Sequence, residues 1–161
     1  MADTKYRPHQ TTLERVMGAL NALPTFVLRL PFPTPMSRRL VLLTYTGRKS
    51  GRSYTVPVSY VEQGDTLLIP GGGAWKKNLE HGSPVRVRLR GSERSASPEV
   101  IRDIDEVERL VAFMMAANPA VSRFIGVPRE VDGRPNREKL ELVVRGGFAV
   151  VRLRLDSQPQ P

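Results

Sequence analysis

Two β-rich runs, Leu40–Thr46 and Tyr54–Val61, are separated by the short basic turn Gly47-Arg48-Lys49-Ser50-Gly51-Arg52. Apolar, β-branched runs closed by glycine read as strand, turn, strand. No other stretch constrains the fold as much. The turn concentrates positive charge, a hydroxyl and flexible backbone. Those groups form either a seat for an anion such as a phosphate or a solvated hairpin tip.

The rest of the chain follows the same punctuation. Thr11 and Glu14 form a capping box that opens a helix, with Leu13, Val16, Met17 and Leu20 at helical spacing and Pro24 ending it. This N-terminal extension, about residues 11–30, reads as a helix docked on its own barrel or touching a membrane surface or partner subunit. Asn21, Pro24 and Arg29 interrupt it, which excludes a transmembrane span. Thr66–Pro70 reads as a strand. Gly71-Gly72-Gly73 then leads into a short helix, Ala74–His81. Three glycines allow close backbone approach to a flat or phosphorylated ligand, or simply link strand to helix. Val85, Val87 and Leu89 alternate with Arg86, Arg88 and Arg90, the mark of a half-buried strand with one cationic face. Glu93–Ile101 follows, and its Pro98 predicts a sheet edge or bulge.

Asp103 or Asp105 caps a helix to about Asn118, with Val107, Leu110, Val111 and Met114 as its buried stripe. A short helix after Pro119, a surface loop over 129–137, and a last hairpin of Leu140–Val144 with Phe148–Leu155 complete the chain. The tail from Asp156 to Pro161 is predicted to be disordered. Six or seven largely antiparallel strands with about three flanking helices predict one mainly β, α+β domain over residues 1–161. Closing such a sheet into a barrel removes its exposed edges.

Chemistry borne by side chains is poorly supplied. The chain has no cysteine, and its two histidines, His9 and His81, are far apart with no nearby carboxylate cluster. This argues against a metal site and a Ser-His-Asp triad. A net charge of +9 favours an anionic partner. Nucleic acid is disfavoured, because aromatics make up only 6% of residues and offer no stacking platform. An enzyme of this composition needs a cofactor that carries the reactive group, and hydride transfer fits. A cytoplasmic location, with peripheral membrane contact as the alternative, is the expectation.

The run Leu43-Thr44-Tyr45-Thr46-Gly47-Arg48-Lys49-Ser50-Gly51, followed by Pro57, resembles the signature of deazaflavin-dependent nitroreductase-like proteins. Trp75 and Asn78-Leu79 before Val85 are similar to that family as well, and the likeness extends over roughly Arg39–Ala96. The resemblance implies a split β-barrel of the flavin/deazaflavin oxidoreductase superfamily, often a homodimer. It also implies coenzyme F-420, a deazaflavin with a phosphate and an acidic oligoglutamate tail, which passes hydride to a quinone, nitro compound or other conjugated acceptor. By this resemblance Arg48, Lys49, Ser50 and Gly51 hold the anionic part of the cofactor, Pro57 lies beside its ring, and Trp75 and Asn78 line the same groove. Tyr54, Gly71 and Gly72 complete the implied cofactor-binding set, and Ser59 and Tyr60 are pocket hydroxyls. Relatives usually carry arginine at Tyr54 and a longer loop, with a lysine, where this chain has Pro70-Gly71-Gly72-Gly73. Arg52, Lys76 or Lys77 are the candidate replacements for those cations. The alternatives are the same barrel holding FMN, haem or an apolar ligand.

Overall fold

The computed structural model describes residues 39–71 and 73–157. The expected helix over 11–30, Gly72 and residues 158–161 lie outside them. The strands are β1 (Leu40–Thr46), β2 (Ser53–Ser59), β3 (Val61–Gln63), β4 (Thr66–Gly71), β5 (Val85–Leu89), β6 (Ser92–Ile101) and β7 (Ala149–Leu155). A 3-10 turn, Ala74–Asn78, follows β4, and helices α1 (Ile104–Ala117), α2 (Ala120–Ile125) and α3 (Arg137–Arg145) separate β6 from β7.

All seven strands form one antiparallel sheet in the order β2-β1-β5-β6-β7-β4-β3. β2 and β3 are its two outermost strands, yet only Tyr60 separates them in sequence. One residue advances the chain by about 3.8 Å, so the two edges must meet. The sheet therefore curls into a barrel, and the Tyr60 N–H, donating to the Arg39 carbonyl at 3.3 Å, extends the β1–β2 ladder up to the point where the chain leaves it. The closure is incomplete. β3 pairs with β4 only over Thr66–Leu68, leaving Ile69–Gly71 opposite β2 without a ladder. Pro57 on β2 and Pro70 on β4 sit at this seam and have no N–H to give across it. The result is a split barrel.

Alternation divides the apolar residues into two cores. Val41, Leu43, Leu67, Ile69, Val87, Val151 and Leu153 point into the barrel. Leu68 and Val150, of opposite parity, pack outside against Val107, Val111, Met114 and Leu140 of the helices. Asp103 caps α1, its Oδ1 accepting from the Glu106 N–H at 3.0 Å, and Asp105 and Glu106 occupy the positive end of the helix dipole. Asp103→Ala is expected to cost about 1 kcal/mol, read as a lower urea midpoint with an unchanged slope.

Four sequence expectations change. Leu140–Val144 belongs to helix α3, not to a strand of a last hairpin. Leu140 is fully buried whereas Leu142 is 52% exposed, so the apparent alternation Leu-x-Leu-x-Val does not share a face. The Asn136 side chain caps the helix by accepting from the Lys139 N–H at 2.9 Å. Val61, read as the last residue of the second strand, instead opens a separate strand with Glu62 and Gln63, which were read as part of a turn. Pro98 lies in an interior strand, with β7 on one flank, but β5 pairing stops at Ala96, so its missing N–H costs no ladder bond. Residues 74–78 form a 3-10 turn rather than an α-helix to His81, with Leu79 N–H bonding to the Lys76 carbonyl. The Asn78 side chain takes the Trp75 carbonyl that an α-helix would have given to Leu79.

Candidate functional site

The turn between β1 and β2 is held by two main-chain bonds, Gly47 N–H to the Arg52 carbonyl and Gly51 N–H to the Gly47 carbonyl, each 2.8 Å. Gly51 has φ +65°, a conformation that a side chain would strain. The Arg48 N–H donates to Asn78 Oδ1 at 3.0 Å, and Asn78 Nδ2 donates to the Trp75 carbonyl at 3.1 Å. Asn78 thereby fastens the basic turn to the segment after β4, some thirty residues later. Ser50 Oγ lies 3.1 Å from the Tyr54 hydroxyl, and Tyr54 stacks on Tyr45 with ring centroids 5.7 Å apart. Burial, and then Tyr54, raise the Tyr45 hydroxyl above its ordinary pKa.

These groups enclose a cleft of about 330 Å³ lined by Tyr45, Arg48, Lys49, Ser50, Tyr54, Lys77 and Asn78. No carboxylate of the described residues pairs with Arg48, Lys49 or Lys77, although Arg90, Arg102, Arg137 and Arg152 all have carboxylate partners. Three cations without a carboxylate partner around one cavity have the donor chemistry to hold an anion.

A second cleft of about 290 Å³ opens at the barrel seam, lined by Leu40, Pro57, Val58, Ser59, Ile69, Pro70, Gly73, Trp75 and Phe124. No ionisable side chain is among them. The two clefts are neighbours. β2 contributes Tyr54 to the first and Pro57 and Ser59 to the second, and the turn after β4 contributes Ala74 to the first and Gly73 and Trp75 to the second.

The structure thus sorts the residues singled out in the sequence. Arg48, Lys49, Ser50, Tyr54 and Asn78 meet in the basic cleft, and Pro57, Ser59 and Trp75 in the apolar one. Gly51 shapes the turn without lining either cavity. Gly71 also lines neither. A Cβ there would come within 2.8 Å of the Ala149 carbonyl, so the strand packing itself requires glycine. Tyr60 is buried in the barrel core, where burial raises its pKa. Of the candidate cations, Lys77 lines the basic cleft, whereas Lys76 turns inward and is 5% exposed. Phe124, on α2, was not singled out. It lies some fifty residues from Trp75 in sequence, and no local pattern marks it. Tyr45 was legible in part, since it pairs with Tyr54 in the hairpin register. Among the described residues, no group of three His, Cys, Asp or Glu side chains is placed to hold a metal ion. None of the described helices is long and apolar enough to cross a membrane.

The sequence model of the F420H(2)-dependent quinone reductase family matches residues 30–132, and this chain belongs to that family. It is accordingly an oxidoreductase whose cofactor is coenzyme F-420. No curated protein matches it by sequence. Among solved structures it is similar to a domain-swapped dimer at 16% identity, TM-score 0.52, over 89% of this chain and 99% of that one. It is also similar to a protein of unknown function from Agrobacterium tumefaciens at 18% identity and TM-score 0.51, over 97% of this chain and 60% of that one. An F420-H2 dependent reductase aligns at 16% identity and TM-score 0.49, over 74% of this chain and 95% of that one.

Proposed function

We propose that the basic cleft holds the phosphate and acidic tail of reduced F-420, and that the apolar cleft takes its ring together with a flat, conjugated acceptor of the quinone class. The observation that carries this reading is the juxtaposition of three unpaired cations with an uncharged, aromatic-walled slot along one strand. Tyr54 and Pro57 are three residues apart on β2, about 10 Å of extended chain, so an elongated ligand with one charged and one apolar end can lie along it.

Arg48 and Lys49 bind the anionic end from the turn, and Lys77 closes on it from the opposite wall. Tyr54 stands where an arginine would have been, so Lys77 supplies the missing cation. Pro57 and Trp75 present flat apolar surface to the ring. The bound coenzyme supplies the hydride. Ser59 Oγ faces the same slot and can hand a proton to the reduced acceptor. Positioning rather than acid–base strength is what the protein contributes. A homodimer in the cytoplasm belongs to the same proposal. The similar fold that occurs as a domain-swapped dimer supports the first part.

Fluorescence titration of one preparation with F-420 and with FMN tests this. F-420 should bind at least about tenfold more tightly and lose affinity as salt rises, because screening weakens exposed charge contacts. FMN binding as tightly as F-420, or F-420 binding that ignores salt, would overturn it.

A further inference from the structure

Among the described residues, Lys76 is the one charged side chain that is buried, at 5% exposure. No carboxylate pairs with it, since Glu80, the acid near it, is engaged by Arg102. Its Nζ donates to the Gly73 carbonyl at 3.0 Å. Its stem runs beside Gly71, where a Cβ would lie 3.4 Å from Lys76 Cδ and 2.8 Å from the Ala149 carbonyl. Gly73 in turn lies under the indole of Trp75, since a Cβ on it would fall 2.4 Å from Trp75 Cδ1. The position of Gly73 therefore sets the position of the ring, and both line the apolar cleft.

Burying an ammonium away from carboxylates is unfavourable, and a methionine would fill the stem's volume without that cost. The lysine is accounted for by what its head does. Burial is the main influence that lowers its pKa, followed by Arg102 and Lys77, with Glu80 opposing. The neighbouring Lys77 serves the other cleft.

We propose that Lys76 is a positioning residue, holding the Gly73 carbonyl and through it the Trp75 wall, and that it thereby sets how tightly the acceptor binds. The acceptor part rests on the reading of the apolar cleft given above. The wall part does not.

Trp75 is the only tryptophan in the chain, so its fluorescence reports the wall directly in the cofactor-free protein. The experiment compares wild type, Lys76→Met and Gly73→Ala by acrylamide quenching, F-420 titration and steady-state kinetics with a soluble naphthoquinone. Lys76→Met should raise the quenching constant about twofold or more and KM for the quinone about fivefold or more, with kcat within about twofold and F-420 affinity, held chiefly at the basic cleft, falling by less than KM rises. Gly73→Ala, which displaces the ring with Lys76 intact, should change quenching and KM in the same direction. It also serves as the test if Lys76→Met does not fold. Unchanged quenching and KM in whichever variants fold would overturn the proposal, as would a loss of F-420 affinity in step with KM. If wild type fails to bind F-420, the cofactor reading falls, while the quenching comparison still decides whether Lys76 holds the wall.

Discussion

Replacing Arg48 and Lys49 together by alanine is expected to weaken F-420 binding by about 10²- to 10⁴-fold while leaving the melting temperature nearly unchanged. Each charge-assisted contact to a phosphate or carboxylate is worth roughly 1.5–3 kcal/mol, and two of them give roughly 3–6 kcal/mol. Folding does not depend on them. Both side chains are exposed, and no carboxylate of the described residues pairs with either. The turn is fastened through main-chain atoms that survive the substitution: the Arg48 N–H still reaches Asn78, and Gly51 still reaches Gly47. A control pair, Arg86→Ala with Arg154→Ala, removes the same charge from exposed positions on β5 and β7 that line neither cleft. The measurement is a fluorescence titration of both double variants at one salt concentration. Equal losses would assign the effect to overall charge, since a protein of net charge +9 attracts anions nonspecifically. A loss confined to the turn variant places the anion site at Arg48 and Lys49.

The parts of this site that could be read from the sequence share a property: they are local. The β1–β2 hairpin declares itself because alternation and turn chemistry both lie within about twenty residues, and its register then pairs Tyr45 with Tyr54. The alternation of β5 is equally plain, Val85, Val87 and Leu89 inward and the arginines outward. What escaped depends on where the chain goes next. Tyr60 reads as one more strand residue, but there the chain crosses from one sheet edge to the other, which carries Tyr60 into the core and splits β3 from β2. Lys76 and Lys77 are adjacent and alike in sequence. A 3-10 turn sends one inward and the other to the cleft, and only the tertiary fold selects which. Gly71 was a candidate for ligand approach, whereas its neighbour in space is the Ala149 carbonyl of a strand nearly eighty residues away. Phe124 reaches the seam from a helix that no nearby residue ties to it.

The misread segment supplies a test of the fold itself. Leu140→Ala is expected to destabilise the protein by about 2–5 kcal/mol, and Leu142→Ala by no more than about 0.5 kcal/mol. In a strand the two leucines share a face and their costs match. In helix α3 they are two residues apart on a 3.6-residue period and point about 200° apart. Leu140 is fully buried among Val107, Val111 and Met114, where truncation leaves a cavity as well as losing transfer energy. Leu142 is 52% exposed and its removal empties nothing. At about 2–4 °C per kcal/mol for a chain of this size, Leu140→Ala should melt roughly 4–20 °C below wild type, and Leu142→Ala within about 2 °C of it. Thermal unfolding followed by circular dichroism resolves the difference. Because α3 packs against the outer face of the sheet, away from both clefts, F-420 affinity of folded Leu140→Ala should remain that of wild type. Equal melting points for the two variants would return 140–144 to a strand and remove the helical layer from that face of the barrel.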